Sequence, residues 1–283
     1  MERASGYQRS GPPASITGIT TLTNTPADTA GALRPVAAAS VIKELYGHSG
    51  SQIYLMRDAN ITFVRKIGNV ERNYERMLDL RAAAYPLPAI YGKYGDTLDL
   101  EYIHGLDMQA YLLTGDVSAL ADFILDMLNR LSERCYDRDY SDVYYQKLAF
   151  VDGSEDLPFT RQQLINRLPS RLPASNYHGD FTLENILYAN ESFYLIDAIT
   201  AEYNSFIFDI AKLRQDLQCK WFIRKTNLML DVKVQYIQDR VLERFTVAKE
   251  DALVILMLLR VYPYTRSGDP DRAFILEAIK DLW

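Results

Sequence analysis

His178-Gly179-Asp180-Phe181-Thr182-Leu183-Glu184-Asn185-Ile186-Leu187, followed by Tyr194-Leu195-Ile196-Asp197, is the stretch from which the rest of this 283-residue chain is read. Four residues separate Asp180 from Asn185, and a second acid, Asp197, closes the next apolar run. Ser175-Asn176 and Gly179 are turn formers. Ile186-Leu187-Tyr188 and Phe193-Tyr194-Leu195-Ile196 are short apolar runs divided by Ala189-Asn190-Glu191-Ser192, the pattern of a β-hairpin. Such a hairpin brings Asn185, entering its first strand, near Asp197, leaving its second. An amide and a carboxylate placed together suit a hard divalent cation, and a further carboxylate is left to hold a hydroxyl. Phosphoryl transfer from a nucleoside triphosphate needs those parts, with cations against the developing charge. An isolated His-Gly-Asp reads as an ordinary turn; the whole constellation in this order does not.

These residues resemble the catalytic loop of the aminoglycoside phosphotransferase and choline kinase group of small-molecule kinases, whose signature is His-Gly-Asp, four residues, then Asn. The resemblance runs roughly from Ser40 to the C-terminus. It implies an α+β, two-lobed protein-kinase-like fold, with a small β-rich N-lobe and a larger, mainly helical C-lobe. It further implies Asp180 as catalytic base, Asn185 and Asp197 as ligands of Mg2+, and His178 as a loop-ordering residue. Asp209, in Phe208-Asp209-Ile210-Ala211, matches an acid that braces the catalytic loop from beneath; by itself it reads as a carboxylate in the first turn of a helix. Protein kinases usually have Arg where Gly179 stands and Lys where Thr182 stands, and both departures favour a small-molecule acceptor. Ala198-Ile199 after Asp197 gives no sign of a glycine-hinged activation segment.

A kinase reading demands an N-lobe. Tyr46-Gly47-His48-Ser49-Gly50-Ser51-Gln52 is a small polar turn running into a strand, and backbone N–H groups at Ser49, Gly50 and Ser51 suit phosphate oxygens. In the next strand, Thr62, Val64 and Lys66 share one face, Phe63, Arg65 and Ile67 the other. A lysine on the inward face wants an anion, and the resemblance makes Lys66 the phosphate-contacting lysine; Arg65 is expected to be solvated. Asn69 is a good N-cap for a helix over 70–84. On it Glu71, Glu75 and Asp79, spaced by four, face the same way. Any of them suits Lys66; Glu75, in mid-helix, is the choice. After Pro86-Leu87-Pro88, two short strands end at Glu101-Tyr102-Ile103. The resemblance makes this the interlobe hinge, where main-chain groups meet the adenine edge of ATP. Main-chain contacts do not choose between ATP and GTP.

Beyond Asp116 the apolar period becomes helical, at Leu120, Phe123, Ile124, Met127, Leu128 and Leu131. Further helices are expected around 160–168, 206–217, 231–245 and 249–261. The run Ala252–Leu259 is too short to span a bilayer. The domain reading is an extension over 1–35 rich in Ser, Thr, Pro, Ala and Gly, an N-lobe over 36–104 and a C-lobe over 105–283. At 48% hydrophobic the chain can bury a large core. Its net charge of −6 argues against broad nucleic-acid binding. Two cysteines and three histidines suggest neither a disulfide framework nor a zinc site, which fits a cytoplasmic location. No apolar signal segment opens the chain, and the oligomeric state is left open.

The resemblance implies a small-molecule hydroxyl as acceptor: a sugar or polyol is favoured, with amino alcohols and aminoglycosides beside it. Tyr203, Phe206, Trp221 and Phe222 suit a cage for a quaternary ammonium or a sugar stack, although aromatics in helices are more often core. Lys212, Arg214, Lys220, Arg224 and Lys225 suit an anionic acceptor, whereas Glu202, Asp216 and Asp231 suit a cationic one. The alternatives are a kinase acting on a protein partner and a nucleotide-binding pseudokinase. Retention of Lys66, Asp180, Asn185 and Asp197 counts against the last.

Overall fold

The strand that carries Lys66 lies at the centre of a five-stranded antiparallel sheet. The computed structural model describes residues 39–45, 51–58, 60–224 and 230–283. In chain order the sheet comprises β1 (Ser40–Leu45), β2 (Gln52–Arg57), β3 (Thr62–Ile67), β4 (Ile90–Tyr94) and β5 (Thr97–Glu101), with α1 (Glu71–Ala82) between β3 and β4. The spatial order is β1-β2-β3-β5-β4. Lys66 lies opposite Ile53 on one side and Leu98 on the other. Arg65 lies opposite Asp99. Its guanidinium donates to both carboxylate oxygens of Asp99 at 2.7 Å. The expectation of a solvated Arg65 is thus corrected: Asp99 is buried, and a buried carboxylate requires a forked partner.

α1 begins one residue later than the Asn69 cap implies. Val70 holds the N-cap position without a side-chain bond, and its N–H donates to Gly68 O at 2.8 Å. Asn73, Arg76, Met77 and Leu80 form its buried face.

The chain leaves the sheet at Glu101 and forms β6 (Leu106–Asp107), which joins a second, three-stranded sheet by pairing with β9 (Ile186–Ala189). Around them lie α2 (Met108–Thr114), α3 (Val117–Leu131), β7 (Tyr136–Asp139), α4 (Ser141–Lys147), α5 (Arg161–Arg167), β8 (Arg171–Ala174) and β10 (Ser192–Leu195). Four longer helices follow, α6 (Phe206–Leu217), α7 (Asp231–Arg244), α8 (Asp251–Val261) and α9 (Pro270–Leu282). Asp116 caps α3 by accepting from Ser118 N at 2.8 Å, and Thr160 and Gln163 form a capping box on α5. Every residue of α6 is buried, with α7 and α8 packed on it. It is the core onto which the 178–185 segment is laid. Among the described residues no helix is long and apolar enough to cross a membrane.

Candidate active site

The hairpin expected around Asn190-Glu191 forms as β9 and β10, with Ser192 opposite Ala189 and Leu195 opposite Ile186. Asn190 and Glu191 both have positive φ, 49° and 59°, the geometry of a two-residue type I′ turn. At its open end Ile196 N donates to Asn185 O at 2.9 Å. That bond brings Asn185 beside Asp197. The amide nitrogen of Asn185 donates to Asp180 O at 2.8 Å and to Asp180 Oδ2 at 3.1 Å. Both donors face the loop, so the amide oxygen is the atom left for a cation.

α6 supports the loop from below. Asp209 accepts from His178 N at 2.5 Å and Gly179 N at 2.8 Å, and Asp216 accepts from Leu183 N at 2.7 Å. The bracing geometry implied for Asp209 is therefore present; Asp216 is a second brace that the sequence reading assigned to an acceptor site. Burial pushes the carboxyl of Asp209 up to about 7, against its two N–H donors. Burial likewise pushes Asp216 up to about 8, helped by Glu184. His178 is wholly buried, which lowers its imidazole to about 4 and keeps it neutral. Its Nδ1 accepts from Asp180 N at 3.4 Å, consistent with a loop-ordering part.

Asp180 itself is partly open. Burial alone raises its carboxyl, but Lys212 and Arg260 outweigh that and hold it below its usual range. Lys212 Nζ lies 3.3 Å from Asp180 Oδ1, and Arg260 donates to Gly179 O at 3.2 Å.

Lys66 reaches Asp197 rather than the helix. It forms an ion pair with Asp197 Oδ1 across 131 positions of sequence, and that oxygen also accepts from Asn73 Nδ2 at 2.8 Å. The Glu75 expectation is corrected here: Glu75 lies on the exposed side of α1, Glu71 pairs with Lys93, and Asp79 pairs with Arg76. The three acids do share a side, but the apolar stripe of Met77 and Leu80 turns Asn73 inward instead. Arg76, on the same inward face, donates to Tyr177 O at 2.7 Å just before the loop. After Asp197 the chain is pinned, with Ile199 N donating to His178 O and Thr200 N to Arg72 O, both at 3.0 Å.

Ser49 and Gly50 lie outside the described residues. Ser51, just before β2, packs close to Gly68. At the expected hinge, Glu101 N donates to Ala89 O at 2.8 Å, and Glu101 Oε2 accepts from Ala89 N at 2.9 Å. Its amide is therefore committed within the sheet and is not free to donate to a base.

The residues considered for an acceptor do not assemble into one site. Tyr203, Phe206, Trp221 and Phe222 are all core, not an open cage. Arg214 is buried on Asp251, while Lys220 pairs with Asp231 and Glu202 with Lys147; Lys225 lies outside the described residues. A hollow of about 250 Å3 adjoins the loop instead, lined by Asp107, Met108, Gln109, Leu183, Glu184 and Phe222. A larger one, about 380 Å3, lies by Val151 and Gln163, and none of the candidate residues lines it.

Sheet, hairpin, pinned loop and central helix together make this a protein-kinase-like fold of the kind found in the aminoglycoside phosphotransferase and choline kinase group. The aminoglycoside phosphotransferase APH(4)-Ia superposes with a TM-score of 0.63 at 12% identity, over 87% of this chain and 93% of that one. A thermostable variant of that enzyme, in a ternary complex with ADP and hygromycin B, gives 0.64 at 11% identity, over 86% and 93%. The choline kinase LicA from Streptococcus pneumoniae gives 0.54 at 16% identity, over 85% and 92%. By sequence alone, no family model and no curated protein matches the chain.

Proposed function

We propose that this protein is an ATP-dependent phosphotransferase acting on a hydroxyl of a small molecule. The observation that carries the reading is the convergence of Asp180, Asn185, Asp197 and Lys66, drawn from β3, the loop and the end of the hairpin. The donor set fits magnesium, because Asn185 offers an amide oxygen and Asp197 a carboxylate. Among the described residues no cluster of three or more His, Cys, Asp or Glu forms a protein-only cage. An ion there would be held by one or two protein oxygens together with phosphates. Bound there, magnesium would neutralise charge on the β- and γ-phosphates.

The chain's own groups account for the remaining requirements. Lys66 supplies a positive charge for the phosphates. Asp180, kept ionised by Lys212 and Arg260, accepts the hydrogen of the acceptor hydroxyl, directing its oxygen at the γ-phosphorus. Asn185 fixes the carboxylate's orientation through Oδ2. Asp209 and Asp216 hold the loop so that these atoms do not have to reorganise during transfer. Structural neighbours that include a complex with ADP and hygromycin B and a choline kinase support a metabolite acceptor over a protein surface.

The test is incubation with magnesium and γ-labelled ATP, adding fractionated small metabolites or, separately, proteins of the host. Asp180→Ala is the blank. Label on a small hydroxyl compound, lost in the blank, is the expected result. Label only on protein would replace the acceptor class. Transfer that survives in the Asp180→Ala variant would remove Asp180 from the base role.

A further inference from the structure

Lys212 is buried in a helix whose every residue is core, and only 7% of it is exposed. An ammonium in such a place is costly unless paired, and an apolar side chain of similar length fills the same volume without that cost. Its ion-pair partner among the described residues is Asp180, at 3.3 Å. The loop brings no cation of its own, since the position two beyond Asp180 is the buried Thr182. Arg260 also faces Asp180, but its guanidinium donates to Gly179 O and lies 5.8 Å from the ring centroid of Tyr203. His178, on the other side, is neutral. One turn along α6, Asp216 Oδ2 is taken by Leu183 N, and its Oδ1 has no hydrogen-bond partner among the described residues. Lys212 thus stands between the acid that opens to the cleft and an acid sealed beneath the loop.

We propose that Lys212 is a positioning residue for phosphoryl transfer, supplied by α6, which aims the Asp180 carboxylate and shields its charge from the incoming phosphate. The proposal rests on the phosphotransferase reading of this site. A charge-assisted N–H···O bond closes to about 2.7–2.9 Å, so an ammonium at 3.3 Å is placed but not locked. The acceptor oxygen must sit about 2.6–3.2 Å from the carboxylate and about 3–3.5 Å from the phosphorus. Without a cation here, the carboxylate would repel the phosphate it must face at that range. In the transfer the acceptor oxygen bonds to phosphorus, the bond to the β-phosphate oxygen breaks, and ADP leaves with that electron pair. The hydroxyl proton passes to Asp180. Lys212 exchanges no proton.

The experiment compares wild type, Lys212→Met, Lys212→Arg, Asp180→Asn and the Lys212→Met/Asp180→Asn pair as full chains. It reads kcat and KM for magnesium-dependent ADP release, first with water as acceptor and then with the metabolite fraction. Binding of a non-hydrolysable ATP analogue and melting temperature are read alongside. Lys212→Met is expected to lower kcat about 10²-fold, the effect of losing one positioned electrostatic group, with analogue binding nearly unchanged. Lys212→Arg should recover much of the loss, and the double variant should be no slower than Asp180→Asn alone. Unchanged kcat in Lys212→Met overturns the proposal. So do equal losses in Met and Arg variants that follow a lowered melting temperature, or additive losses in the pair. Wild type that releases no ADP with either acceptor overturns the phosphotransferase reading and this proposal with it. An active wild type, a strongly slowed Asp180→Asn and a Lys212→Met of unchanged kcat sink Lys212 alone.

Discussion

Gly179 shows how narrowly single residues are constrained around the loop. Its φ is +92°, and a Cβ there would stand 2.0 Å from Ile199 O, a backbone atom of a residue whose own N–H donates to His178 O. Gly179→Ala combines left-handed strain of order 1–3 kcal/mol with that overlap. Melting should therefore fall by several degrees, at about 2–4 °C per kcal/mol for a chain of this size class; an unchanged melt would mean the loop has other room. Asp216 gives a pH signature. Its folded carboxyl is pushed up to about 8, above the ordinary value of 3.8, so the folded state holds the proton more tightly than the unfolded chain does. Stability from that preference is fully present below pH 4 and is lost as pH rises through about 8. Asp216→Asn mimics the protonated acid and removes the dependence. The melting temperature of wild type minus that of Asp216→Asn should fall between pH 4 and 8, and parallel curves would contradict the assignment.

At the scale of elements, α1 decides which group accompanies Lys66. The inward stripe Val70, Asn73, Met77 and Leu80 follows helical spacing, and within it the polar member is an amide. Asn73→Ala removes bonds to Asp197 Oδ1 and Ala198 O, at 2.8 and 3.0 Å. Hydrogen bonds to a charged group contribute about 1.5–3 kcal/mol, so turnover should fall about tenfold or more. Glu75→Ala, on the exposed side, should leave turnover and melting unchanged, and the reverse pattern in kinetic assays would restore Glu75 to the site. The stripe is present in the sequence; the i, i+4 spacing of the acids gives a shared side without saying which way it faces. The hairpin and loop were legible because turn chemistry and contiguity fix them locally. Lys66 was legible because strand alternation put a charge inward. Asp209, Lys212 and Asp216 carried a usable signal, spaced i, i+3 and i+7 along one face of α6. The signal mixes charges of both signs, so it does not stand out as a basic or an acidic cluster. β1 had no such signal: its residues are largely exposed, so no buried alternation marks it. The α9 start, Asp269-Pro270, was a readable cap followed by proline.

Across the molecule, the Lys66–Asp197 pair ties the five-stranded sheet to the hairpin, and it does so through the carboxylate that the proposed magnesium site requires. A cation and an ammonium cannot both take the same oxygens at full strength, so metal binding and release of Lys66 toward the phosphates are linked. Two consequences differ in sign. With magnesium, ATP should raise the melting temperature well beyond ATP with a chelator, since a ligand at a hundred times its Kd stabilises by about 2.7 kcal/mol. Lys66→Met should weaken that ATP effect, because a phosphate partner is gone. The same variant should bind Mn2+ more tightly in the absence of nucleotide, because among the described residues Asn73 is then the remaining donor to Asp197 Oδ1. Titration of Mn2+ followed by electron paramagnetic resonance, with calorimetry for ATP, reads both quantities on one preparation. Weaker ATP binding together with unchanged Mn2+ binding would leave Lys66 as a phosphate contact and place the metal on another carboxylate. Loss of both would mean that the ion pair organises the cleft rather than competing for it.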